Sequence, residues 1–158
     1  KNEIEFLKES NAIEREYSKE ALEDAINGWN YAKKYRNEIS ILFIKQIHKK
    51  LMKRLNPKIA GKMRAIPIYV GNISSYRECL KPELIYGKLE KWVETYSLSK
   101  RDYEIKEAHI VFEKIHPFED GNGRVGRIVM NIQRLNAKLP LLVVHEGKEQ
   151  FEYYKWFK

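Results

Sequence analysis

One short stretch, residues 115–127, contains most of the groups in this chain that could do chemistry; it reads Ile-His-Pro-Phe-Glu-Asp-Gly-Asn-Gly-Arg-Val-Gly-Arg. Its glycines free the backbone to curl closely around a ligand and to point N–H groups inward, an arrangement that binds phosphate. His116, just before the loop, can accept a proton from an attacking hydroxyl group. Asp120 can hold Mg²⁺ against phosphate oxygens. The stretch therefore predicts a phosphate-binding loop with a general base beside it.

The residues after the loop have the spacing of a helix that begins at the loop itself. Apolar residues recur at helical spacing from Val125 to Leu135, so the predicted helix begins at about residues 122–124 and ends at about Asn136. The N-terminus of a helix favours an anion, because its N–H groups are unpaired and its dipole is positive there. Arg124 and Arg127 are three residues apart, which predicts that they share one face of the first turn. Positive charge is unfavourable at that end of a helix unless an anion binds, so the two arginines indicate a polyphosphate ligand.

The motif His-Pro-Phe-x-Asp-Gly-Asn-Gly-Arg-x-x-Arg, complete here from His116 to Arg127, resembles the signature of the Fic family. Members of that family mostly transfer AMP from ATP to hydroxyl groups of proteins. The resemblance implies that His116 is the catalytic base and that Asp120 is the Mg²⁺ ligand. It also implies that the nucleotide is bound by Asp120, Gly121, Asn122, Gly123, Arg124 and Arg127.

The composition is that of one soluble domain over residues 1–158, with 43% hydrophobic and 33% charged residues. No run of about eighteen apolar residues and no signal-peptide pattern is present, so we expect no membrane contact. The single cysteine, Cys79, excludes an intramolecular disulfide and a cysteine-rich metal site, which is typical of a cytoplasmic protein. The net charge of +8 comes from lysines spread along the chain, which predicts a generally basic surface.

Helical periodicity accounts for most of the remaining chain and predicts an all-α fold. Ser18 and Asn56-Pro57 supply a helix cap and a helix stop. Helices are predicted over residues 3–15, from Ser18, over 38–55, from Pro82, from Ser99 or Asp102 to Ile115, over the segment after the loop, and around Phe151–Trp156.

One segment of the chain has the alternation of a strand. Ile66, Ile68 and Val70 alternate with other residues, Pro67 confines the strand to an edge, and Gly71-Asn72 supplies a turn. The Fic family has a β-hairpin flap in this place, ending in a similar Val-Gly, which aligns a target segment and lies against the nucleotide. The resemblance thus implies a helical bundle with a flap at about residues 64–72, with Val70 and Gly71 beside the nucleotide; a hairpin that only seals the fold is the alternative.

The first predicted helix carries a further resemblance. Ser10 followed four residues later by Glu14 is similar to the inhibitory helix that one class of the family has ahead of its core. In that class the glutamate pairs with the second arginine of the signature and blocks the productive pose of the γ-phosphate, which implies a pair between Glu14 and Arg127. Arg15 stands where the family usually has Gly or Asn. Residues 1–17 are therefore assigned to an inhibitory region and 18–158 to the core; Glu14 alone would be an exposed glutamate on a charged helix.

Several further side chains are candidates for structural roles. His48 is predicted at the surface or the edge of the core, because no Cys or second His stands at metal-ligand spacing from it. His109 is predicted to be packed, and Phe118 to anchor the loop in the core after Pro117 breaks the helix. Tyr153 resembles a family position where a tyrosine flanks the base or ribose of the nucleotide, although a packed helix end explains it equally well.

The function predicted from these features is a protein adenylyltransferase that uses ATP and Mg²⁺. Its partner would be a target protein with an exposed Tyr, Ser or Thr hydroxyl, bound through the flap; self-modification and a homodimer stay open. One alternative is a Fic-fold enzyme that moves UMP, phosphate or phosphocholine, or removes AMP with Glu14 activating water. Relatives that phosphorylate carry Lys at the position of Gly123, which favours nucleotidyl transfer. A nucleic-acid-binding module is the other alternative, but it leaves His116 and Asp120 unexplained.

Overall fold

The protein is helical with one small hairpin, as predicted. A computed structural model describes residues 2–72 and 75–158. Its elements are α1 (Asn2–Ile13), α2 (Lys19–Lys34), α3 (Ile41–Met52), β1 (Tyr69–Asn72), β2 (Ser75–Glu78), α4 (Ile85–Tyr96), α5 (Asp102–Ile115), α6 (Asn122–Asn136) and α7 (Lys148–Tyr154). Single 3₁₀ turns, Pro82–Leu84 and Lys155–Phe157, precede α4 and follow α7. Over the described ranges, no helix has the length and apolar character needed to cross a membrane.

Two serine hydroxyls fix where the second and third helices begin. The side chain of Ser18 accepts a hydrogen bond from Ala21 N at 3.1 Å, which confirms the predicted cap of α2. Ser40 accepts from Phe43 N at 3.1 Å, and its extended backbone keeps the preceding residues outside α3. The predicted helix over 38–55 was therefore too long at both ends, since α3 ends at Met52, well before Pro57.

Helix α6 is the central element of the bundle. It packs against α1, α2, α3 and α5, and its buried residues lie all around its circumference. Its predicted extent is confirmed. Since solvent reaches so little of α6, its buried polar side chains need partners from the neighbouring helices. The largest fully buried apolar side chains around it are Trp29, Trp92, Phe6, Phe112 and Phe118.

The hairpin is shorter and lies later in the sequence than predicted. β1 pairs antiparallel with β2, with Val70 opposite Arg77 and Gly71 opposite Tyr76. The predicted turn at Gly71-Asn72 is wrong, because both residues belong to β1; residues 73–74 lie outside the described chain. Ile66 is not in the strand, since its carbonyl accepts a hydrogen bond from the side chain of Arg64 at 3.0 Å instead.

Helix α1 is held to the bundle along its length. Phe6 packs edge-to-face on Trp29, with ring centroids 5.5 Å apart, and both are buried. At the surface, Lys33 Nζ of α2 lies 2.8 Å from Glu3 Oε1. The last turn of α1, residues 10–13, is buried against the bundle. The position of the residues that follow α1 is thus set by the core.

Candidate active site

His116 is held by its backbone at the end of α5. It caps that helix in the left-handed conformation, with φ 51° and ψ 62°, and its N–H donates to Phe112 O at 3.1 Å. Its carbonyl accepts from Arg64 Nε at 2.6 Å, and Arg64 N donates to Pro117 O at 2.9 Å. Burial lowers the pKa of His116, and the charges of Arg64 and Arg77 lower it further. The imidazole is therefore neutral at pH 7 and able to accept a proton.

The loop after His116 is closed by one asparagine. Phe118 N donates to Asn122 Oδ1 at 2.9 Å, and Asn122 Nδ2 donates back to Phe118 O at 2.8 Å. Phe118 is 0% exposed, which confirms its predicted place in the core. The Asn122 side chain shapes the loop, and its part in binding a nucleotide stays a prediction.

His48 is a support of the loop that the sequence did not reveal. It was expected at the surface or core edge but is fully buried and stacked on Phe118, with ring centroids 3.8 Å apart and an interplanar angle of 9°. Its Nδ1 accepts from Gly61 N at 2.9 Å, so the proton is on Nε2, which donates to Asp120 O at 2.8 Å. Burial lowers the pKa of His48 to about 4, so the ring is neutral. Its burial could have been predicted from its position on the apolar face of α3.

Helix α6 begins directly after the loop, with Gly121 and Asn122 buried and Gly123 half-buried. Gly121 begins the helix with φ 86°, and no side chain caps the helix. One oxygen of the exposed Asp120 carboxylate accepts from Gly121 N at 2.8 Å. In the part of the chain that the structure describes, no group of three or more His, Cys, Asp or Glu side chains could hold a metal. A Mg²⁺ ion at Asp120 would thus take most of its ligands from phosphate and water, which is usual for this ion.

Arg127 donates four hydrogen bonds, three of them to residues at the end of α1 or just after it. Its Nε donates to Ser10 Oγ at 2.8 Å, and its Nη2 donates to Ser10 O at 3.1 Å and to Glu14 Oε2 at 2.7 Å. Its Nη1 donates to Tyr153 OH at 3.2 Å. Although burial opposes its charge, Tyr153 and Glu14 together raise the pKa of Arg127. The contact between Glu14 and Arg127 that the resemblance implied is thus present.

The residue after Glu14 explains why the family usually has glycine or asparagine there. Arg15 has φ 58°, and its N–H donates to Ala12 O at 2.9 Å while Glu16 N donates to Asn11 O at 2.9 Å. These two bonds form a Schellman motif, in which the left-handed residue is normally Gly. Arg15 thus adopts a backbone conformation that is unfavourable for its type.

Arg124 contacts a different helix from Arg127, whereas a shared face was predicted. It is 4% exposed, and its Nη2 lies 3.5 Å from Met52 Sδ of α3. Among the described residues, no acceptor pairs with its Nε and no carboxylate forms a salt bridge with it. A buried guanidinium without an acceptor is unfavourable, and a phosphate oxygen would supply one.

A cavity of about 290 Å³ joins His116 to Arg127. Of the other predicted site residues, Glu14, Val70, Gly123 and Tyr153 line it. A Cβ at Gly123 would lie 2.6 Å from Glu14 Oε2, so a side chain there would displace the Glu14 carboxylate. The remaining predicted residues are not among its lining residues. Ser10 lies behind Arg127, Asp120, Gly121 and Arg124 lie against α3, Asn122 bonds Phe118, and Gly71 is on the exposed hairpin.

The predicted stacking of Tyr153 on a nucleotide does not fit its surroundings. Its side chain is 3% exposed, and its hydroxyl lies 2.7 Å from His109 Nε2 as well as beside Arg127. Stacking needs an uncovered ring face, so the correction is that Tyr153 positions Arg127. The neighbouring Tyr154 is 45% exposed and lines the cavity. His109 is 2% exposed, as expected for a packed histidine.

Three further charged side chains, Arg77, Glu113 and Lys114, line the cavity without having been predicted. Arg77 lies across the hairpin from Val70, so both side chains face the cavity. Arg77 was not predicted because its position follows from the pairing of β1 with β2, and the strand had been predicted over the wrong residues. Glu113 lies one turn before His116 on α5, where the sequence does not distinguish it from any other charged helical residue. Arg64, which joins the residues before the hairpin to the backbone of His116, does not line the cavity and was also not predicted.

The fold and the site together define a helical domain in which a histidine-bearing loop leads into an arginine-bearing helix. This chain belongs to the Fic/DOC family, whose model matches residues 38–133. It is 31% identical over 127 residues to the protein adenylyltransferase fic-1 of Caenorhabditis briggsae, covering 77% of this chain and 24% of that protein. It is 31% identical over 144 residues to the protein adenylyltransferase Fic of Drosophila erecta, covering 84% and 28%. The chain thus spans about a quarter of the length of these relatives.

Solved structures show the same fold at low sequence identity. A Fic domain containing signaling protein from Bacteroides thetaiotaomicron is 20% identical with a TM-score of 0.84, covering 98% of this chain and 69% of that one. Fic-1 from C. elegans is 21% identical with a TM-score of 0.72, covering 96% and 53%. These likenesses establish the fold.

Proposed function

We propose that this chain is a protein adenylyltransferase that transfers AMP from ATP to a hydroxyl group of a target protein. The observation that carries the proposal is the cavity in which a neutral His116 meets the buried Arg127 and the uncapped start of α6. The two relatives named protein adenylyltransferase support it.

In this mechanism each group of the site has one task. The triphosphate of ATP lies along the N-terminus of α6, where backbone N–H groups and Arg124 neutralise its charge. His116 takes the proton of a Tyr, Ser or Thr hydroxyl as its oxygen attacks the α-phosphorus, and pyrophosphate leaves. Mg²⁺, held by Asp120, supplies charge neutralisation to the phosphates when bound. Positioning and electrostatic stabilisation by this chain provide most of the acceleration.

The hairpin supplies the surface for the target protein. A two-stranded sheet leaves an outer edge on each strand, and an extended target segment can pair with such an edge through its main chain. Val70 and Arg77 face the cavity from this hairpin, so a segment paired to it would pass over His116.

Glu14 holds the site closed in the proposed function. Its carboxylate occupies the guanidinium of Arg127 that the γ-phosphate would otherwise bind, and it lies within 2.6 Å of a Cβ position at Gly123. A triphosphate can adopt its productive pose only after Glu14 leaves Arg127. The amount of AMP transfer is then set by how often that contact opens.

Labelled ATP tests the proposal directly. The chain, its Glu14→Gly variant and its His116→Ala variant are incubated with a cell lysate and with ATP labelled on either the α- or the γ-phosphate. We expect label from the α-phosphate alone, with a protein mass gain of one AMP, in the first two and a decrease of at least 100-fold in His116→Ala. Removal of Mg²⁺ by a chelator should abolish labelling. Transfer of the γ-label, or equal labelling by all three proteins, would overturn the proposal.

A further inference from the structure

Glu113 is half-buried and has one covered carboxylate oxygen for which the proposed mechanism provides no role. It lies on α5 one turn before His116 and lines the same cavity. Its Oε2 is covered from solvent and has no hydrogen-bond partner among the described residues. A covered carboxylate oxygen without a hydrogen-bond partner is unfavourable, so its presence beside the reacting groups requires an explanation.

Glu113 and Arg127 line the same cavity. A Cβ at Gly126 would lie 2.3 Å from Glu113 Oε2, so the carboxylate is pressed against α6 next to Arg127. Burial raises the pKa of Glu113 to about 7, with the charge of Arg127 lowering it and that of Glu14 raising it. The titratable and charged groups around it are Glu14 after α1, Arg127 on α6, Tyr153 on α7, Arg77 and Cys79 at the hairpin, and His109, Lys114 and His116 on α5.

We propose that Glu113 is a second counter-ion for Arg127, in competition with Glu14. While Glu14 holds Arg127, Glu113 is mostly protonated and neutral below about pH 7. When Glu14 leaves, Arg127 loses its carboxylate partner, and Glu113 releases its proton to solvent and pairs with the guanidinium. Arg127 thus keeps a buried counter-charge in the open state and stays in position for the phosphate. This inference rests on the proposed role of Glu14.

The competition gives opening of the site a definite pH dependence. Closure by Glu14 adds a second negative charge beside Glu113 and so takes up a proton, while opening releases it. A step that releases one proton is favoured as pH rises, by at most about tenfold per pH unit between the two pKa values. The open fraction should therefore increase from pH 6 to pH 8.

A ratio of activities isolates this effect. AMP transfer by wild type is divided by AMP transfer by Glu14→Gly at each pH from 6 to 8.5, so that titration of His116 and of ATP affects both terms alike. We expect the ratio to rise at least threefold over this range. In a Glu113→Gln background, where residue 113 cannot ionise, the ratio should be constant, whereas Glu90→Gln, an exposed change on α4, should leave the rise intact. A constant ratio in wild type, or the same rise with Glu113→Gln, would overturn the inference.

A second measurement does not depend on transfer. Carbon NMR of ¹³C-labelled glutamate carboxyls follows the titration of Glu113, which is assigned as the signal missing in Glu113→Gln. We expect the pKa of Glu113 to be lower in Glu14→Gly than in wild type. Equal values in the two proteins would overturn the inference even if AMP transfer is confirmed. A lower value without any AMP transfer would leave the competition supported and the proposed function refuted.

Discussion

Replacing Glu14 by glycine tests the closed state most directly. The change removes the 2.7 Å contact between Glu14 Oε2 and Arg127 Nη2 but leaves both contacts of Ser10 with Arg127 in place. We therefore expect Glu14→Gly to keep α1 docked and to increase AMP transfer by a limited factor.

The geometry sets the size of that factor. A hydrogen bond to a charged group typically contributes about 1.5–3 kcal/mol. Arg127 is 3% exposed but Glu14 is 38% exposed, so solvent screens part of the attraction and about 1–2 kcal/mol is reasonable. Each 1.4 kcal/mol corresponds to a factor of ten, so transfer should increase about 5- to 30-fold.

The assay is the initial rate of label transfer from the α-phosphate of ATP at saturating Mg²⁺, measured for wild type, Glu14→Gly and a matched control. Glu16→Gly is the control, because it introduces the same flexibility two residues further along without touching Arg127. We expect the control to behave like wild type. If Glu14→Gly gives no increase, or if Glu16→Gly gives the same increase, the contact with Arg127 does not limit the reaction.

Three further predictions concern the supports of the site. His48→Ala should destabilise the protein by about 2–4 kcal/mol, seen in urea unfolding, because it removes a buried ring and two hydrogen bonds; full stability would refute its role in the loop. Burial lowers the pKa of His48 to about 4 and that of His109 to about 3, so stability should fall as pH decreases below about 6.5, where the unfolded chain binds these protons; a pH series of melting temperatures checks this. Gly126→Ala should destabilise by about 1–3 kcal/mol because its Cβ collides with Glu113, whereas Gly87→Ala, which meets nothing within 4 Å, should be neutral or stabilising in the same unfolding assay.

The features that the sequence predicted well are local. The start of α2 at Ser18 and the extent of α6 follow from capping and periodicity, which act over a few residues. The motif from His116 to Arg127 is continuous in the chain, so its members were found together. The contact between Glu14 and Arg127, 113 residues apart, could be predicted only through the family resemblance.

The features that were missed depend on distant pairing. His48 and Asp120 are 72 residues apart, and nothing in α3 indicates that a buried histidine supports a loop. The strand over 64–72 was misplaced because the side chain of Arg64 donates a hydrogen bond to the carbonyl of Ile66, which would otherwise be available to a neighbouring strand. The alternation of apolar residues gives no information on such a side-chain bond. Arg77 reaches the cavity through its pairing with Val70, which follows from register and not from residue type.

The left-handed backbone of Arg15 has a consequence for the activity that we propose for this chain. A glycine in that conformation would be more stable by about 0.5–1 kcal/mol, so Arg15 weakens the end of α1 just beyond Glu14. The family's usual glycine would hold Glu14 on Arg127 more tightly. We expect Arg15→Gly to lower AMP transfer about 2- to 5-fold and to raise the melting temperature; an unchanged rate would refute this. The residue type at position 15 would then determine the rate of AMP transfer that remains in the presence of Glu14, without contacting the nucleotide, the target protein or Arg127.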